Sequence, residues 1–217
     1  MALSSVGDLR TSILSWAERN DLTNPQLNDF IALTETYVNR VLRVPSMEWK
    51  ALISSTDGRI VIPFDFISLK NISWLGADST SQNRYDLESA TWERVNTERL
   101  IYRDVHAPKL FARQENFWYI STTPADGDVF EVHYYRFTPG LNDTTQTDNW
   151  LLQVAPEVYL FGGLYFTYMF LQDENKAQYW KALFDSAIAS VQLQGNESDQ
   201  GHSHGRVKNL DMMGSET

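Results

Sequence analysis

The most constraining feature of the sequence is an almost uninterrupted apolar run from Pro156 to Leu171. Pro156 suits the first turn of a helix, where its missing N–H would have no partner, and Glu157 favours the positive end of the helix dipole. Because the run is apolar on nearly every side, it predicts a buried core helix over 156–171. It is too short for a membrane span, which needs about 20 apolar residues.

A second helix is predicted over 174–193, after a polar break that begins at Gln172. Two helices joined by so short a break form an antiparallel hairpin, and this hairpin offers the largest apolar surface in the sequence. Gly162 and Gly163 each lower helix stability by roughly 1 kcal/mol, so their presence indicates close packing against another backbone. The apolar residues of the second helix recur at steps of three and four: Ala177, Trp180, Phe184, Ile188 and Val191.

Two more helices are predicted near the amino-terminal end, over 5–18 and 25–43. Ser4 or Ser5 can cap the first, and Asn24 as cap with Pro25 at the first position starts the second. The second helix carries an apolar stripe wide enough to pack on the carboxy-terminal hairpin. That stripe consists of Leu27, Phe30, Ile31, Thr34, Tyr37, Val38, Val41 and Leu42.

From Trp49 the hydrophobic period changes from near four to two, which predicts a β-rich insertion over about 49–137. One hairpin is predicted around the turn Asp57-Gly58 and another around the polar turn Gln114–Asn116. Alternation along the strand at 129–136 places one apolar set on a single face. That set is Phe130, Val132 and Tyr134.

These elements predict an α+β fold: a helical bundle from the N- and C-terminal segments, an inserted antiparallel β-region and a flexible C-terminal tail. We expect residues 1–194 to form a single domain. Residues 195–217 are predicted to be the flexible tail, because glycines spread among small polar residues cannot bury a core.

No catalytic, cofactor or metal site is predicted. The chain has no cysteine, which excludes thiolate chemistry and cysteine zinc sites, and no phosphate-binding loop or nucleophile elbow. His202 and His204 could bind a metal, but no carboxylate stands at a fixed spacing from them. His106 and His133 have no nucleophile motif beside them, and Asp65 suits a turn better than a general base.

Several stretches together resemble the head-to-tail adaptor proteins of short-tailed bacteriophages. They occur in the order found in that family and cover most of the chain up to about Val191. The stretches are Glu35–Glu48, Val61–Phe66, Val132–Tyr135, Asn149–Leu152 and Pro156–Gly162.

The resemblance implies a structural virion protein without catalysis or cofactors. Such adaptors form a ring, commonly of twelve copies, below the portal of the DNA-filled capsid. They extend the DNA channel and dock the tail nozzle and sometimes fibres. The protein is therefore expected at the head–tail interface of the virion, after synthesis in the host bacterial cytoplasm. DNA would pass through without specific binding, which agrees with a formal charge of −10, and no membrane partner is implied.

The resemblance also implies that the C-terminal tail becomes ordered against the portal, and that the protein takes part in DNA ejection. Within the tail, two basic and three apolar side chains are the expected portal-binding residues. They are Arg206, Lys208, Leu210, Met212 and Met213.

Two alternatives stay open at this point. A tail-associated glycan- or receptor-binding protein could use aromatic residues of the strands near Trp118 and Tyr135, because aromatic faces stack on sugars. A small hydrolase could use acidic residues that only folding brings together.

Overall fold

The computed structural model describes residues 3–76, 84–101, 107–122 and 127–200, with side chains described as far as 197. The chain divides into two compact units. The helical unit comprises Met1–Ser46 and Thr138–Thr217, and the strand-rich unit comprises Met47–Phe137. Helices drawn from both ends of the chain with an inserted β-region confirm the predicted α+β fold. That residues 1–194 act as a single adaptor domain stays a prediction, and residues 201–217 of the predicted tail lie outside the described residues.

The elements follow the chain in this order: α1 (Val6–Ala17), α2 (Asn24–Val41), a 3-10 turn (Pro45–Met47), β1 (Glu48–Ser54), β2 (Arg59–Val61), β3 (Phe66–Gly76), β4 (Tyr85–Asp86), β5 (Glu88–Ser89), α3 (Trp92–Ile101), β6 (Leu110–Gln114), β7 (Phe117–Ile120), β8 (Val129–Arg136), α4 (Trp150–Val154), α5 (Pro156–Phe170) and α6 (Glu174–Gln200).

Helix α5 lies at the centre of the helical unit and contacts α1, α2, α4 and α6. Its side chains Val158 and Leu164 are fully buried, as the all-round apolar run predicts. The surrounding helices contribute their own buried side chains to the same core: Leu9, Ile13, Leu27, Ile31, Leu152 and Phe184.

The amino-terminal caps differ in one place from the prediction. Ser5 caps α1, and its hydroxyl oxygen accepts the N–H of Asp8 at 3.2 Å. The cap of α2 is Thr23 and not Asn24, which is the first helical residue. The reason is Gln26, three residues beyond Thr23, whose Oε1 accepts the Thr23 N–H at 2.8 Å and its hydroxyl at 2.9 Å.

The two glycines of α5 permit close packing, but against side chains and not against another backbone. A Cβ at Gly162 would collide with the Thr34 side chain of α2 and come within 2.9 Å of Phe184 Cε2. A Cβ at Gly163 would lie 2.5 Å from Ile13 Cδ1 of α1. The missing Cβ atoms therefore let α1, α2 and α6 approach α5 closely.

Helix α6 continues to Gln200, beyond the end at 193 that its apolar spacing predicts. At Gly195 it passes Val44, whose Cγ1 would lie 2.7 Å from an added Cβ. The side chain of Gln192 holds the same region, because its Oε1 accepts the Arg43 N–H at 3.0 Å and its Nε2 donates to the Arg43 carbonyl at 2.6 Å. These tertiary contacts extend the helix past its last apolar residue.

The strand-rich unit contains two four-stranded sheets, ordered β1-β8-β3-β4 and β2-β7-β6-β5. All neighbouring strands are antiparallel except β5 and β6. Between the sheets lies a core that includes the predicted inward face of β8, which is confirmed as buried. The core residues are Ile60, Ile72, Leu87, Phe111, Trp118, Ile120, Phe130, Val132 and Tyr134.

Of the two predicted hairpins, one forms and one does not. Strands β6 and β7 pair across a turn in which Glu115 has φ 53°, as predicted. The turn at Asp57-Gly58 also forms, with φ values of 53° and 69°. Its flanking segments pair only through the antiparallel Thr56–Arg59 bridge that closes the turn. The prediction that they form a longer hairpin is wrong, because β1 joins β8 along its whole length and the short β2 joins β7. A long ladder with β8 offers β1 more backbone hydrogen bonds than three residues of β2 could.

We expect Gly162→Ala to destabilise the protein by about 1–3 kcal/mol, because the added methyl group overpacks the contact with Thr34 and Phe184. The better helix propensity of alanine, about 1 kcal/mol, would not offset this strain. Urea denaturation of the purified protein measures the difference.

Gly7→Ala in α1 is the matched control, since the nearest atom to its added Cβ is Ser5 Oγ at 3.7 Å. It should leave stability unchanged or raise it by about 0.5–1 kcal/mol. A Gly162→Ala protein as stable as the Gly7→Ala protein would contradict this account of α5 packing.

Candidate interaction surfaces

The titratable residues singled out from the sequence have structural partners where they are described. The carboxylate of Asp65 accepts the Tyr134 hydroxyl at 2.9 Å, and its carbonyl accepts the Phe137 N–H at 2.8 Å. Asp65 therefore fastens a turn, as predicted. His106, His202 and His204 lie outside the described residues, as do the five predicted portal-binding residues, Arg206, Lys208, Leu210, Met212 and Met213.

His133 belongs to a charge cluster on β8 that sequence reasoning did not find. The buried carboxylate of Glu131 lies 2.9 Å from His133 Nε2, 2.7 Å from Arg84 and 3.2 Å from Lys50. The pKa of Glu131 is lowered from its usual value, chiefly by the hydrogen bond from His133, with Lys50 and Arg84 adding to the effect. A carboxylate held ionised by three donors is a weak base and therefore a poor general base, and its ion pair with Lys50 joins β8 to β1.

A second carboxylate, that of the half-buried Glu35 of α2, anchors the segment at 138–149 that leads into α4. Its Oε1 accepts the Leu141 N–H at 2.7 Å and faces the Tyr159 hydroxyl at 3.4 Å. Asn149 completes the anchor by donating to the Pro139 carbonyl at 2.8 Å and to the Tyr159 hydroxyl oxygen at 2.7 Å. Burial raises the pKa of Glu35 to about 7, against the opposing effect of the hydrogen bonds from the Leu141 N–H and the Tyr159 hydroxyl.

Four aromatic rings meet on the surface of the helical unit and form what we call the aromatic patch: Trp16, Phe161, Tyr179 and Trp180. The ring centroids of Trp16 and Trp180 lie 5.8 Å apart, and Phe161 lies 5.8 Å from Trp180. Trp16 is 53% exposed and Tyr179 is 61% exposed. Exposed aromatic groups of this size are typical of surfaces that bind other proteins.

Next to this patch in sequence, α5 and α6 border a depression of about 520 Å³ that we call the trough. Its lining combines an aromatic ring, a thioether and two alanines with four polar or charged side chains. We define it by Tyr165, Met169, Glu174, Ala177, Gln178, Lys181, Ala182 and Asp185. The trough therefore places apolar groups beside a few polar and charged ones, a combination found in sites that receive a side chain of a partner.

One large hydrophobic side chain of the strand-rich unit is almost wholly exposed to solvent. Phe64 is 97% exposed, the highest value among the large hydrophobic residues that the structure describes. It lies in a turn between β2 and β3, and Val61 in the same region is also exposed. Phe64 and Val61 are therefore two exposed apolar side chains three residues apart in sequence.

Of the two aromatic residues named for the glycan-binding alternative, Trp118 is buried and Tyr135 is half-buried. Trp118 is 1% exposed and packs edge-on against Phe66, with ring centroids 5.2 Å apart. Tyr135 is half-buried beside Lys70, whose Nζ lies 5.5 Å from its ring centroid. Trp118 therefore fills the core between the sheets and offers no face to a sugar.

Comparison with known proteins identifies the family of this chain. The family model described as SU10 adaptor protein matches residues 4–208, nearly the whole chain. The chain belongs to the SU10 adaptor protein family. No curated protein matches the chain.

Membership of the SU10 adaptor family makes the chain a structural adaptor protein of a bacteriophage and a virion component that associates with other virion proteins. In the described part of the chain, no helix is both long and apolar enough to cross a membrane. The same residues contain no group of His, Cys, Asp or Glu side chains that could hold a metal ion.

The raised pKa of Glu35 predicts a pH dependence of stability. The unfolded carboxyl has a pKa near 4.3, so between about pH 4 and pH 7 the folded state holds its proton more tightly than the unfolded state. Unfolding is then favoured as the pH rises through this window. The free energy of unfolding of the wild type, relative to Glu35→Gln, should fall by up to about 3 kcal/mol across it.

Urea denaturation at a series of pH values measures this difference. Glu197→Gln is the control, because Glu197 is an exposed carboxyl of α6. Its profile should run parallel to that of the wild type. A Glu35→Gln profile that also runs parallel to the wild type would contradict the buried, proton-retaining carboxyl.

Proposed function

We propose that this protein is the head-to-tail adaptor that forms a closed ring, of about twelve copies, below the portal of a short-tailed phage. The ring extends the DNA channel and docks the tail nozzle or fibres. The observation that supports this most strongly is the match of the SU10 adaptor family over residues 4–208. A structural role of this kind involves no catalysis and no cofactor.

Contact between neighbouring copies would involve the helical unit. The aromatic patch leaves Trp16 and Tyr179 more than half exposed, and covering them would remove apolar surface from water at about 25 cal/mol per Å². In a ring, each copy presents one surface to the next copy and a different surface to the previous one. The aromatic patch is one such surface in our proposal.

The chain beyond Gln200 would bind the portal. It contains Arg206 and Lys208, which can pair with carboxylates, and Leu210, Met212 and Met213, which can fill apolar pockets. A segment that orders only on binding can cover a large surface for its length. Attachment to the head would then depend on these five side chains.

The overall charge suits a channel through which DNA moves. Binding of DNA by a protein requires lysine and arginine side chains that displace counterions from the phosphates. With 28 acidic against 18 basic residues, the chain has a formal charge of −10. DNA would therefore pass through the ring without being held.

Truncation after Gln200 tests the proposed role of the tail. The described helices remain complete in this variant, so far-UV circular dichroism and the thermal midpoint should stay close to those of the full chain. Binding to portal particles should be lost, since the proposed anchors are gone. Sedimentation with purified portal particles measures it.

Two full-length variants separate the contribution of the basic residues of the tail from that of its apolar residues. Combined Arg206→Ala and Lys208→Ala should weaken attachment in a salt-dependent way, and combined Leu210→Ala, Met212→Ala and Met213→Ala should weaken it at all salt concentrations. Unchanged attachment of the truncated protein would rule out the tail as the portal-binding segment.

Trp16→Asp combined with Tyr179→Asp tests the aromatic patch. Both side chains are more than half exposed, so the fold should persist while ring assembly on portal particles is lost. The control is Val154→Asp, another exposed apolar residue of the helical unit, which should assemble normally. Complete rings of the double variant, seen by particle imaging, would exclude the patch from the contact.

A further inference from the structure

We propose that Phe64 of one copy inserts into the trough of the neighbouring copy and fixes the register between adjacent subunits. This inference rests on the proposed ring. It specifies which residues meet across the subunit boundary: an exposed ring of the strand-rich unit of one copy, and the depression between α5 and α6 of the next.

The turn that carries Phe64 is firmly held. The Phe66 N–H donates to the Pro63 carbonyl at 3.2 Å and closes the turn, in which proline fixes its own φ. The Tyr134 hydroxyl donates to Asp65 at 2.9 Å. Phe64 therefore projects from a turn whose two neighbours are fixed, so little conformational freedom of the backbone would be lost on binding.

Phe66, on the other side of the same turn, is packed into the strand-rich unit. Its ring lies 5.2 Å from that of Trp118 and 5.8 Å from that of Tyr134, and the Arg113 guanidinium lies 5.1 Å from its centroid. The two phenylalanines stand two residues apart, yet Phe66 packs against other aromatic rings while Phe64 is 97% exposed. Phe64 is thus not packed into the strand-rich unit.

The trough has the chemistry that receives an aromatic ring. Tyr165 can pack against an incoming ring at an angle, and the sulfur of Met169 can contact its edge. Ala177 and Ala182 contribute only small side chains to the lining, and about 520 Å³ is ample for one phenylalanine side chain.

Lys181 adds a cation at a fixed position. Its Nζ donates to Asp185 at 2.5 Å and to the Tyr37 hydroxyl at 2.9 Å. It also lies 4.7 Å from the Tyr37 ring centroid and 5.9 Å from that of Tyr165. A cation held between aromatic faces can attract a further ring that enters the trough.

The same chain therefore carries both a projecting phenyl group, that of Phe64, and a depression that suits it. Two different surfaces of this kind, one on each neighbour, make a head-to-tail contact, and such contacts close into a circular assembly when the rotation between copies allows it. A second copy of the chain is the occupant of the trough, because each copy in such an assembly has a neighbour that supplies Phe64.

Site-specific cross-linking tests this contact, and the absence of cysteine from the sequence makes the test clean. Phe64→Cys and Ala182→Cys are prepared as two separate single-cysteine proteins, both at exposed positions. They are mixed, assembled on portal particles and oxidised, and covalent dimers are separated by denaturing electrophoresis. The mixture should give dimers at a yield at least tenfold above either variant alone.

Leu100→Cys replaces Phe64→Cys in one control mixture, and Ser190→Cys replaces Ala182→Cys in another, because both positions are exposed and do not line the trough. Neither mixture should cross-link above background. Dimers of Phe64→Cys with itself, or no mixed dimer in particles that carry a complete ring, would overturn the contact while the proposed function stands. Absence of any ring in particle imaging would overturn both.

A variant without cysteine gives an independent measurement. Phe64→Ala should raise the adaptor concentration that half-saturates portal particles by about ten- to hundredfold, because a buried aromatic anchor is lost. Leu100→Ala, at another exposed position of the strand-rich unit, should leave that concentration unchanged. Equal concentrations for Phe64→Ala and wild type would count against the proposal.

Discussion

The burial of α5 is the constraint on which the helical unit depends. A helix that is apolar on nearly every side must be covered on every side, and α1, α2, α4 and α6 all contact it. Gly162 and Gly163 allow this crowding, because side chains of three neighbouring helices occupy the space of the missing Cβ atoms. The chain supplies the covering helices from both of its ends, so the strand-rich unit is necessarily an insertion between them. What remains exposed after α5 is covered, including Trp16 and Tyr179, is available for partners.

Much of this architecture could be predicted from local patterns, and the failures have a common cause. The buried helix, the helical hairpin and the β6–β7 hairpin depend on residues close together in sequence, which periodicity and turn chemistry describe well. Strand β1 pairs with β8, which lies far along the chain, and the Asp57-Gly58 turn next to β1 does not predict that pairing. The extension of α6 to Gln200 likewise depends on Val44 and Arg43, which sequence spacing does not reveal.

The candidate surfaces were harder to predict, because exposure is a property of the folded chain. Phe64 and Trp118 are both aromatic residues of the β-rich insertion, yet one is 97% exposed and the other is buried. The pKa of Glu35 could not be predicted from sequence patterns either. It is raised by burial, to which the segment that contains Leu141 contributes from more than a hundred residues away. A signal did exist for the family, since the stretches resembling phage adaptors contain Glu35, Phe64 and the start of α5.

The measurement that most directly tests the adaptor account is the mass of the assembly, by native mass spectrometry, for the purified protein alone and after mixing with the portal of its phage. The account predicts a complex in which one closed ring of adaptor subunits, about twelve, is added to each portal. A protein that leaves the portal mass unchanged at every concentration would contradict the account.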